Sequence, residues 1–284
     1  MARGYTKTVA VLVSDLRDAL SSAVAQGAIA AAAERGLVGT VTGMSSSATA
    51  LNALRSIRVQ RPLLIVVEAR LIEAVADGDE LVVELAAHEA GGGHVTLVGA
   101  SGLPFRTSFV DEQAAASALA RDLFDIGYRS PLIVATDGTV AQRRARGVRE
   151  TFEQAGSGVR ARVEELESES RDAVEAWLST LSHEDLLEAD LIACTSDSAA
   201  IAVMGHLRRR GITPGTELGV SGFGGSPYAD DVRPRLTTVD IFAAELGYRA
   251  VATGLAVPPL QAPETTVGEV RLAASTPPRT RSSR

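Results

Sequence analysis

The 284-residue sequence contains one cysteine, Cys194, so it cannot form an intramolecular disulfide framework and suits a reducing compartment. Long hydrophobic runs are also missing. The most apolar early segment, Ala23–Ala33, contains Gln26 and Gly27 and falls short of the roughly 20 residues that a membrane span requires. No charged and then apolar start with a small-residue cleavage site is present, so export is not expected. These absences predict a cytoplasmic protein that does not associate with a membrane.

Aromatic residues and positive charge are scarce as well. Aromatics make up 4% of the sequence while apolar residues make up 45%, so Ala, Val, Leu and Ile must build the core. Such a core is common in parallel sheets covered by helices. The formal net charge of −7 argues against a broad nucleic-acid footprint, because phosphate binding requires clustered Lys and Arg. The length is sufficient for two ordinary domains.

Residues that could support catalysis are few and scattered. The four histidines lie far apart, at positions that surface helices or loops explain, and without the spacing of metal ligands: His88, His94, His183 and His206. The segment Gly219–Gly222 lacks the final glycine of a nucleophile turn, and Pro227 replaces the last glycine of a dinucleotide loop. Cys194 ends an apolar strand and is typical of a small core residue. We therefore expect neither an enzyme nor a metal or cofactor site.

The sequence does contain a regular alternation of apolar strands and helices. A strand such as Val9–Val13, followed by a helix such as Ala19–Arg35, implies right-handed crossovers and parallel sheets. The order of strand, Asp-bearing loop and helix occurs twice, at Val9–Asp15 and at Leu132–Asp137, as in a two-lobed binding protein. Further predictions are a strand at Val159–Val163, an acidic surface loop at Glu164–Asp172, a last strand at Val267–Ala273 and a disordered Pro-, Ser- and Arg-rich tail at residues 277–284.

Two strands of the second half end in loops of the kind that hold ligands. Leu191–Cys194 is followed by polar residues, including Ser196 and Asp197, and a second predicted strand, Leu218–Phe223, is followed by Gly224. In open parallel sheets, ligands bind outside the carboxyl ends of the strands. We therefore expect these two loops to face one crevice.

About a dozen positions between Ser196 and Gly247 follow one ungapped pattern. They are Ser196-Asp197, Leu207, Gly211, Pro214, the run from Gly219 to Phe223, the run from Pro234 to Val239, and Gly247. This pattern resembles the lactose-repressor (LacI/GalR) family of bacterial transcription regulators, and a looser match spans roughly Thr6 to Thr276. The resemblance implies an α/β, two-lobed periplasmic-binding-protein-like fold. In that fold each lobe is a parallel sheet flanked by helices, and three crossing strands join the lobes, which close on a small effector.

The resemblance also implies boundaries and partners. The N-terminal lobe would comprise residues 6–108 and 240–263, and the C-terminal lobe residues 109–239 and 264–276. Family members form homodimers, and the apolar helix positions Leu51, Leu54 and Ile57 exceed what one sheet face needs. The family begins with a helix-turn-helix module that binds operator DNA. Nothing in this sequence resembles that module, so the chain is either a shortened form or a protein that naturally lacks it.

Candidate ligand-binding residues follow from the same resemblance. Arg144 and Gly147 match the family's Arg-x-x-Gly, whose arginine holds effector hydroxyls or carboxylates; a solvated helix charge is the alternative for Arg144. Asp15 would accept from ligand hydroxyls at the end of the first strand or would cap the following helix. Ser196 and Asp197 have the same two interpretations.

Departures from the family pattern bear on the effector. Leu20 occupies the position of an aromatic residue that stacks on ligands, and Phe223 is followed by Gly224 and Gly225 instead of two acids. This predicts a pocket that holds something other than a typical pyranose, binds weakly, or no longer binds. Fewer carboxylates, or glycine N–H groups that face the ligand, would favour an anion. The sequence thus predicts the domain of a LacI-type regulator that binds a sugar-like or anionic effector, with a free-standing solute-binding protein as the alternative.

Overall fold

The structure is a computed structural model of the chain. It describes residues 4–44, 47–73, 78–99, 102–156, 159–256, 264–266 and 268–279. The chain divides into two compact units: the first is Met1–Val110 with Phe242–Thr266, and the second is Asp111–Ile241 with Val267–Arg284. The chain passes from one unit to the other at three places. These three crossing points lie two or three residues after the boundaries at 108, 239 and 263 that the family resemblance implies.

Helices and strands alternate along the chain. The first unit begins with β1 (Thr6–Val13), α1 (Ala19–Glu34), β2 (Val38–Gly43), α2 (Ser47–Val59), β3 (Pro62–Glu68), α3 (Ala69–Glu73), α4 (Gly78–Ala90), β4 (His94–Val98) and β5 (Arg106–Val110). The second unit follows with α5 (Glu112–Asp125), β6 (Pro131–Thr136), α6 (Thr139–Gln154), β7 (Arg162–Leu166), α7 (Arg171–Thr180), α8 (His183–Leu187), β8 (Leu191–Cys194), α9 (Asp197–Arg209), β9 (Gly219–Ser221), α10 (Tyr228–Asp231) and β10 (Thr238–Asp240). The last elements are α11 (Ala243–Leu255), β11 (Glu264–Thr266) and β12 (Glu269–Arg271). In the part of the chain that the structure describes, no helix is long and apolar enough to cross a membrane.

The first unit is built on a parallel sheet. Among its described residues the sheet has six strands in the order β11, β5, β4, β3, β1, β2, and every neighbouring pair is parallel. Ala10 and Leu12 of β1 pack with Leu54 of α2 and Leu85 of α4, while α1 and α11 also contact the sheet. Helices on both faces explain why β1 and β3 are apolar over most of their length.

The second unit repeats this plan with a smaller sheet. Within the described residues, four parallel strands lie in the order β7, β6, β8, β9, and β10 pairs with β12 in an antiparallel ribbon. β8 has the predicted bounds and is buried throughout. Burial also raises the pKa of the Cys194 thiol, which lies in the core as expected. The predicted α/β class, with parallel sheets flanked by helices, is confirmed in both units.

The acidic segment predicted as a loop is partly a strand. β7 covers Arg162–Leu166 instead of the predicted Val159–Val163, so Glu164 and Glu165 lie within the sheet. Among the described residues, β7 pairs on one side only, with β6, and its side chains are half-buried or exposed. An edge strand accepts charged side chains that face solvent. Pairing with the buried β6 therefore determines where β7 lies. The acidic side chains of Glu164 and Glu165 wrongly indicated a loop.

The end of the chain also differs from the prediction. The strand predicted at Val267–Ala273 is shortened to β12, which pairs with β10, while β11 joins the first unit's sheet beside β5. Val267 itself lies outside the described residues. The prediction missed this split because neither strand is longer than three residues.

The first residues of the predicted disordered tail are ordered. The Tyr128 hydroxyl donates to the Pro277 carbonyl oxygen (3.2 Å), and the Arg279 N–H donates to the carbonyl oxygen of the residue that follows α5 (2.7 Å). The Arg279 guanidinium also lies 4.9 Å from the Tyr128 ring centroid. Two contacts to the buried Tyr128 and one to the backbone just before it thus hold this segment. Residues 280–284 lie outside the described part of the chain.

Two histidines expected at the surface are buried. His88 is 4% exposed and contacts the Tyr5 ring edge-on, with 5.5 Å between ring centroids, and His206 is 9% exposed in α9. Burial, together with the positive charge of the nearby Arg58, lowers the pKa of His88 to about 4. A neutral imidazole can occupy a core position that a charged one cannot, so the expectation of surface positions was wrong for these two residues.

The apolar side chains of α2 at Leu51, Leu54 and Ile57 are not surplus, so that expectation was also wrong. Leu51 is 9% exposed and Leu54 is 1% exposed, and both belong to the core of the first unit, against which Ile57 also packs. A spacing of three residues is what an ordinary core helix shows.

Helices α1 and α11 contact each other through their backbones. A Cβ at Gly27 would overlap the carbonyl oxygen of Ala244, and a Cβ at Gly247 would overlap the carbonyl oxygen of Val24. Each helix therefore has a glycine at the point of closest approach. Any side chain at either position would force the helices apart.

We expect the Gly27→Ala variant to lower the free energy of unfolding by about 2 kcal/mol or more, since the added methyl group has no space. Gly205→Ala in α9 is the control, because the nearest atom to its added Cβ is Arg209 Nη1 at 3.6 Å. That variant should be neutral or stabilising by up to about 1 kcal/mol. Thermal unfolding followed by circular dichroism measures both, and equal melting temperatures would contradict the close contact.

Candidate functional site

Most of the predicted site residues lie together at one end of the second unit's sheet. Ser196 and Asp197 follow β8, Phe223 and Gly224 follow β9, and Arg144 lies on α6. The Asp197 N–H donates to the Phe223 carbonyl oxygen (3.0 Å), which joins the two loops. The grouping arises because the carboxyl ends of parallel strands meet at one edge of a sheet.

Arg144 is bonded inside the unit. It is 6% exposed, so the alternative that it is a solvated helix charge is wrong. Its Nε donates to Glu112 Oε2 at 2.7 Å and its Nη1 donates to the Thr195 carbonyl oxygen at 2.8 Å. Its Cζ lies 4.2 Å from the centroid of the Phe223 ring. Sequence reasoning missed Glu112, for which the available signal was an acid two residues before the alanine-rich segment Ala114–Ala120.

The glycine of the Arg-x-x-Gly sequence explains why Arg144 reaches Glu112. A Cβ at Gly147 would overlap the carbonyl oxygen of Gln113 and would lie 2.9 Å from the Ala116 side chain. Helices α5 and α6 therefore touch through their backbones next to the turn that carries Glu112. The same contact brings the guanidinium and the carboxylate together.

Asp197 is buried and connects the loops around it. Its Oδ2 accepts from the Ser226 N–H and its Oδ1 accepts from the Thr238 hydroxyl, both at 2.6 Å. Burial raises the pKa of Asp197, although these two hydrogen bonds and Arg144 oppose the rise. A Cβ at Gly222 would overlap Oδ1, so the chain after β9 approaches this carboxylate as closely as glycine permits. Both carboxylate oxygens therefore have partners in the same unit.

Ser196 has the capping role that was one of its two interpretations. Its hydroxyl accepts from the Ala199 N–H at 3.2 Å at the start of α9, and the side chain is buried. Such a cap satisfies one of the free N–H groups at the helix start.

The glycines after Phe223 do not present their N–H groups to a ligand, so that expectation was wrong. The Gly224 N–H donates to the Val239 carbonyl oxygen at 2.8 Å, and the Gly225 N–H donates to the Thr238 hydroxyl at 3.3 Å. Their φ angles are 131° and 73°, which glycine adopts readily. A Cβ at Gly225 would also lie 2.7 Å from the Asp240 Cα. Glycine is needed here because two backbone segments approach each other closely.

Two predicted site residues belong to the first unit. Asp15 follows β1 and accepts from the Arg17 N–H and from Arg17 Nη2, both at 2.9 Å, which holds its pKa below the usual range. It does not cap α1, because Asp18 accepts from the Ser21 N–H in that position. Leu20 is half-buried in the first turn of α1.

A buried carboxylate that the sequence did not indicate lies beside them. Glu68 ends β3 and is 4% exposed. Its Oε2 accepts from the Ser14 N–H (2.8 Å), the Ser14 hydroxyl (2.9 Å) and the Ser21 hydroxyl (3.0 Å). Arg70 Nε completes this set at 3.3 Å. The available signal was an acid directly after the apolar run Leu63–Val67.

The site residues of the second unit are suited to hydrogen bonding. A guanidinium, carboxylates and hydroxyls lie at the end of its sheet, and the buried thiol of Cys194 has a raised pKa that opposes thiolate formation. In the ranges that the structure describes, no three His, Cys, Asp or Glu side chains are placed to hold a metal ion.

We expect Arg144→Met to reduce the stability of the second unit by roughly 3–5 kcal/mol, because it leaves the buried Glu112 carboxylate without a partner. Adding Glu112→Gln should recover part of that loss. Arg146→Met, an exposed position on the same helix, should change stability by less than about 0.5 kcal/mol. Urea unfolding followed by fluorescence of Trp177, the single tryptophan, measures this unit alone. Equal losses for Arg144→Met and Arg146→Met would show that the ion pair is unimportant.

The model of the periplasmic binding protein-like domain family matches residues 120–283. No curated protein sequence matches at a significant level. A periplasmic binding protein/LacI transcriptional regulator from Alkaliphilus metalliredigens, solved with D-xylulofuranose, is 16% identical with a TM-score of 0.80, covering 95% of this chain and 99% of that chain. A LacI family transcriptional regulator from Mycobacterium smegmatis is 22% identical with a TM-score of 0.79, covering 96% and 100%.

A further LacI family regulator, from Enterococcus faecium with bound ribose, is 14% identical with a TM-score of 0.81 and covers 96% of this chain and 100% of that chain. Identities this low establish the fold alone, while the family model covers more than half of the sequence. The chain therefore belongs to the periplasmic binding protein-like domain family and has the fold that LacI-family transcriptional regulators share.

Proposed function

We propose that the chain is the effector-binding domain of a LacI-type transcriptional regulator. In this proposal a sugar-like small molecule binds to it and controls DNA binding by a separate helix-turn-helix module. The observation that carries the proposal is the match in fold, over 95% or more of the chain, to regulators of this family. Regulators with similar folds have been solved with D-xylulofuranose, ribose and cellobiose.

The effector would bind at the carboxyl end of the second unit's sheet, around Arg144 and the loops that begin at Ser196 and Phe223. Arg144 Nη2 makes no hydrogen bond within the described residues. It is also not fully buried. It is therefore a donor that a ligand hydroxyl can use. In the first unit, Asp15 and Leu20 remain proposed contacts of the effector.

Calorimetric titration with D-ribose, D-xylulose and cellobiose tests this function, and we expect at least one of them to bind with a 1:1 stoichiometry. Arg144→Lys should weaken that binding about tenfold or more, since lysine cannot reproduce the planar set of donors. Arg146→Lys on the same helix should leave the affinity within about twofold. Absence of binding to all three sugars, or an equal loss in both variants, would contradict the proposal.

The homodimer that the family resemblance implies stays a prediction, and Leu51 and Leu54 do not support it because they lie in the core of the first unit. We expect a dimer in analytical ultracentrifugation at micromolar concentration. A monomer mass under those conditions would refute it.

A free-standing solute-binding protein is the alternative, because the matching family model describes periplasmic binding proteins in general. Sugar binding alone would not distinguish it from a regulator. The gene sequence upstream of Met1 would do so: an encoded helix-turn-helix supports the regulator, whereas an encoded export signal supports the alternative.

A further inference from the structure

We propose that Glu112 is a built-in acidic partner of Arg144 and that it restricts the second unit's site to uncharged effectors. The inference rests on the function proposed above and names the class of effector. Glu112 would thus be a residue that determines specificity.

The ion pair has the geometry of a permanent interaction. The 2.7 Å separation between Arg144 Nε and Glu112 Oε2 is at the short end for a charge-assisted hydrogen bond. The two side chains are 8% and 7% exposed, so water has little access to replace either partner. A ligand acid would have to displace a carboxylate that is already desolvated and correctly placed.

The position of Glu112 is fixed by backbone contacts. The overlap that a Cβ at Gly147 would make with Gln113 shows that α5 and α6 lie as close as two helices can at this point. The turn that carries Glu112 is held in place by Asp111, whose side chain accepts from the Ala114 N–H at 3.0 Å. The backbone at Glu112 therefore cannot move away from α6 without separating the two helices.

The charges around Arg144 oppose a second anion. Glu112 supplies one negative charge, and Glu169 lies close by because the Thr195 hydroxyl donates to its Oε1 at 2.8 Å. Asp197 is buried within the same group of loops. One guanidinium thus lies among three acids, so an acid-bearing ligand would be repelled. A hydroxyl could still accept a hydrogen bond from Arg144 Nη2 and would bring no charge.

An uncharged effector is the opposite of the anionic one that the sequence favours. That expectation depended on Gly224 and Gly225 leaving a less negative site or donating their N–H groups to a ligand. Both N–H groups are already bonded within the unit, to Val239 and Thr238. Glu112, which the sequence did not single out, supplies an acid next to the arginine.

Removing the built-in acid tests the proposal directly. Glu112→Ala leaves a space for a carboxylate beside Arg144, and sodium acetate is the probe, with acetamide as its uncharged counterpart. Glu150→Ala is the matched control, because Glu150 accepts from Gln113 Nε2 (3.1 Å) across the same helix contact without touching Arg144. Melting curves followed by Trp177 fluorescence are recorded at constant ionic strength, adjusted with sodium chloride.

We expect acetate to stabilise Glu112→Ala with an apparent affinity at least about tenfold higher than for the wild type or Glu150→Ala, as one regained charge-assisted hydrogen bond would give. Acetamide should not have this effect, and adding Arg144→Met should abolish it. If Glu112→Ala does not fold in chloride alone, recovery of the native Trp177 signal in acetate is the equivalent result.

The proposal is overturned if acetate stabilises the wild type as strongly as Glu112→Ala, if Glu112→Ala responds no more than Glu150→Ala, or if acetamide acts equally well. Failure of the proposed sugar sensing would be seen separately. It would appear as an absence of sugar binding by the wild type, whatever the response of the variants to acetate.

Discussion

The ion pair between Arg144 and Glu112 determines the arrangement at the carboxyl end of the second unit's sheet. Removing two charges from water is costly, and the cost is recovered only when the partners are well aligned and their other groups are bonded. Arg144 meets this requirement by donating also to the Thr195 carbonyl oxygen after β8 and by stacking on Phe223 after β9. One side chain thus ties α5, α6 and the ends of two strands to each other.

Asp197 has a similar role beside Phe223. Its carboxylate accepts from a loop N–H and from the Thr238 hydroxyl, and its own N–H donates to the Phe223 carbonyl oxygen. Residues that first suggest ligand contacts thereby hold the loops in position. A site whose loops are fixed before the ligand arrives loses less conformational entropy on binding. The internal bonds are therefore compatible with a binding function, provided that some donors remain available.

The sequence predicts the sheets well because their central strands are buried on both faces and hence read as continuous apolar runs, as in β8. It predicts edge elements less well. β7 carries Glu164 and Glu165 because one of its sides faces solvent, and its position depends on pairing with β6. The partners of Arg144 and of Ser14 were not predictable, since Glu112 and Glu68 are distant in sequence and become neighbours only through helix and strand packing. The identity of a residue indicates which bonds it can make, and the fold decides with which partner.

Gly224 and Gly225 show how this affects a functional argument. As departures from a family pattern, they suggest a site that has lost two acids and gained space or N–H donors. In the structure their positive φ angles and the closeness of Asp240 explain them without reference to a ligand. What matters for binding is which donors and acceptors stay unbonded after folding, and Arg144 Nη2 is such a donor among the described residues. A donor on a guanidinium whose charge is already neutralised recognises a hydroxyl better than an acid, because it adds a hydrogen bond without requiring a compensating charge.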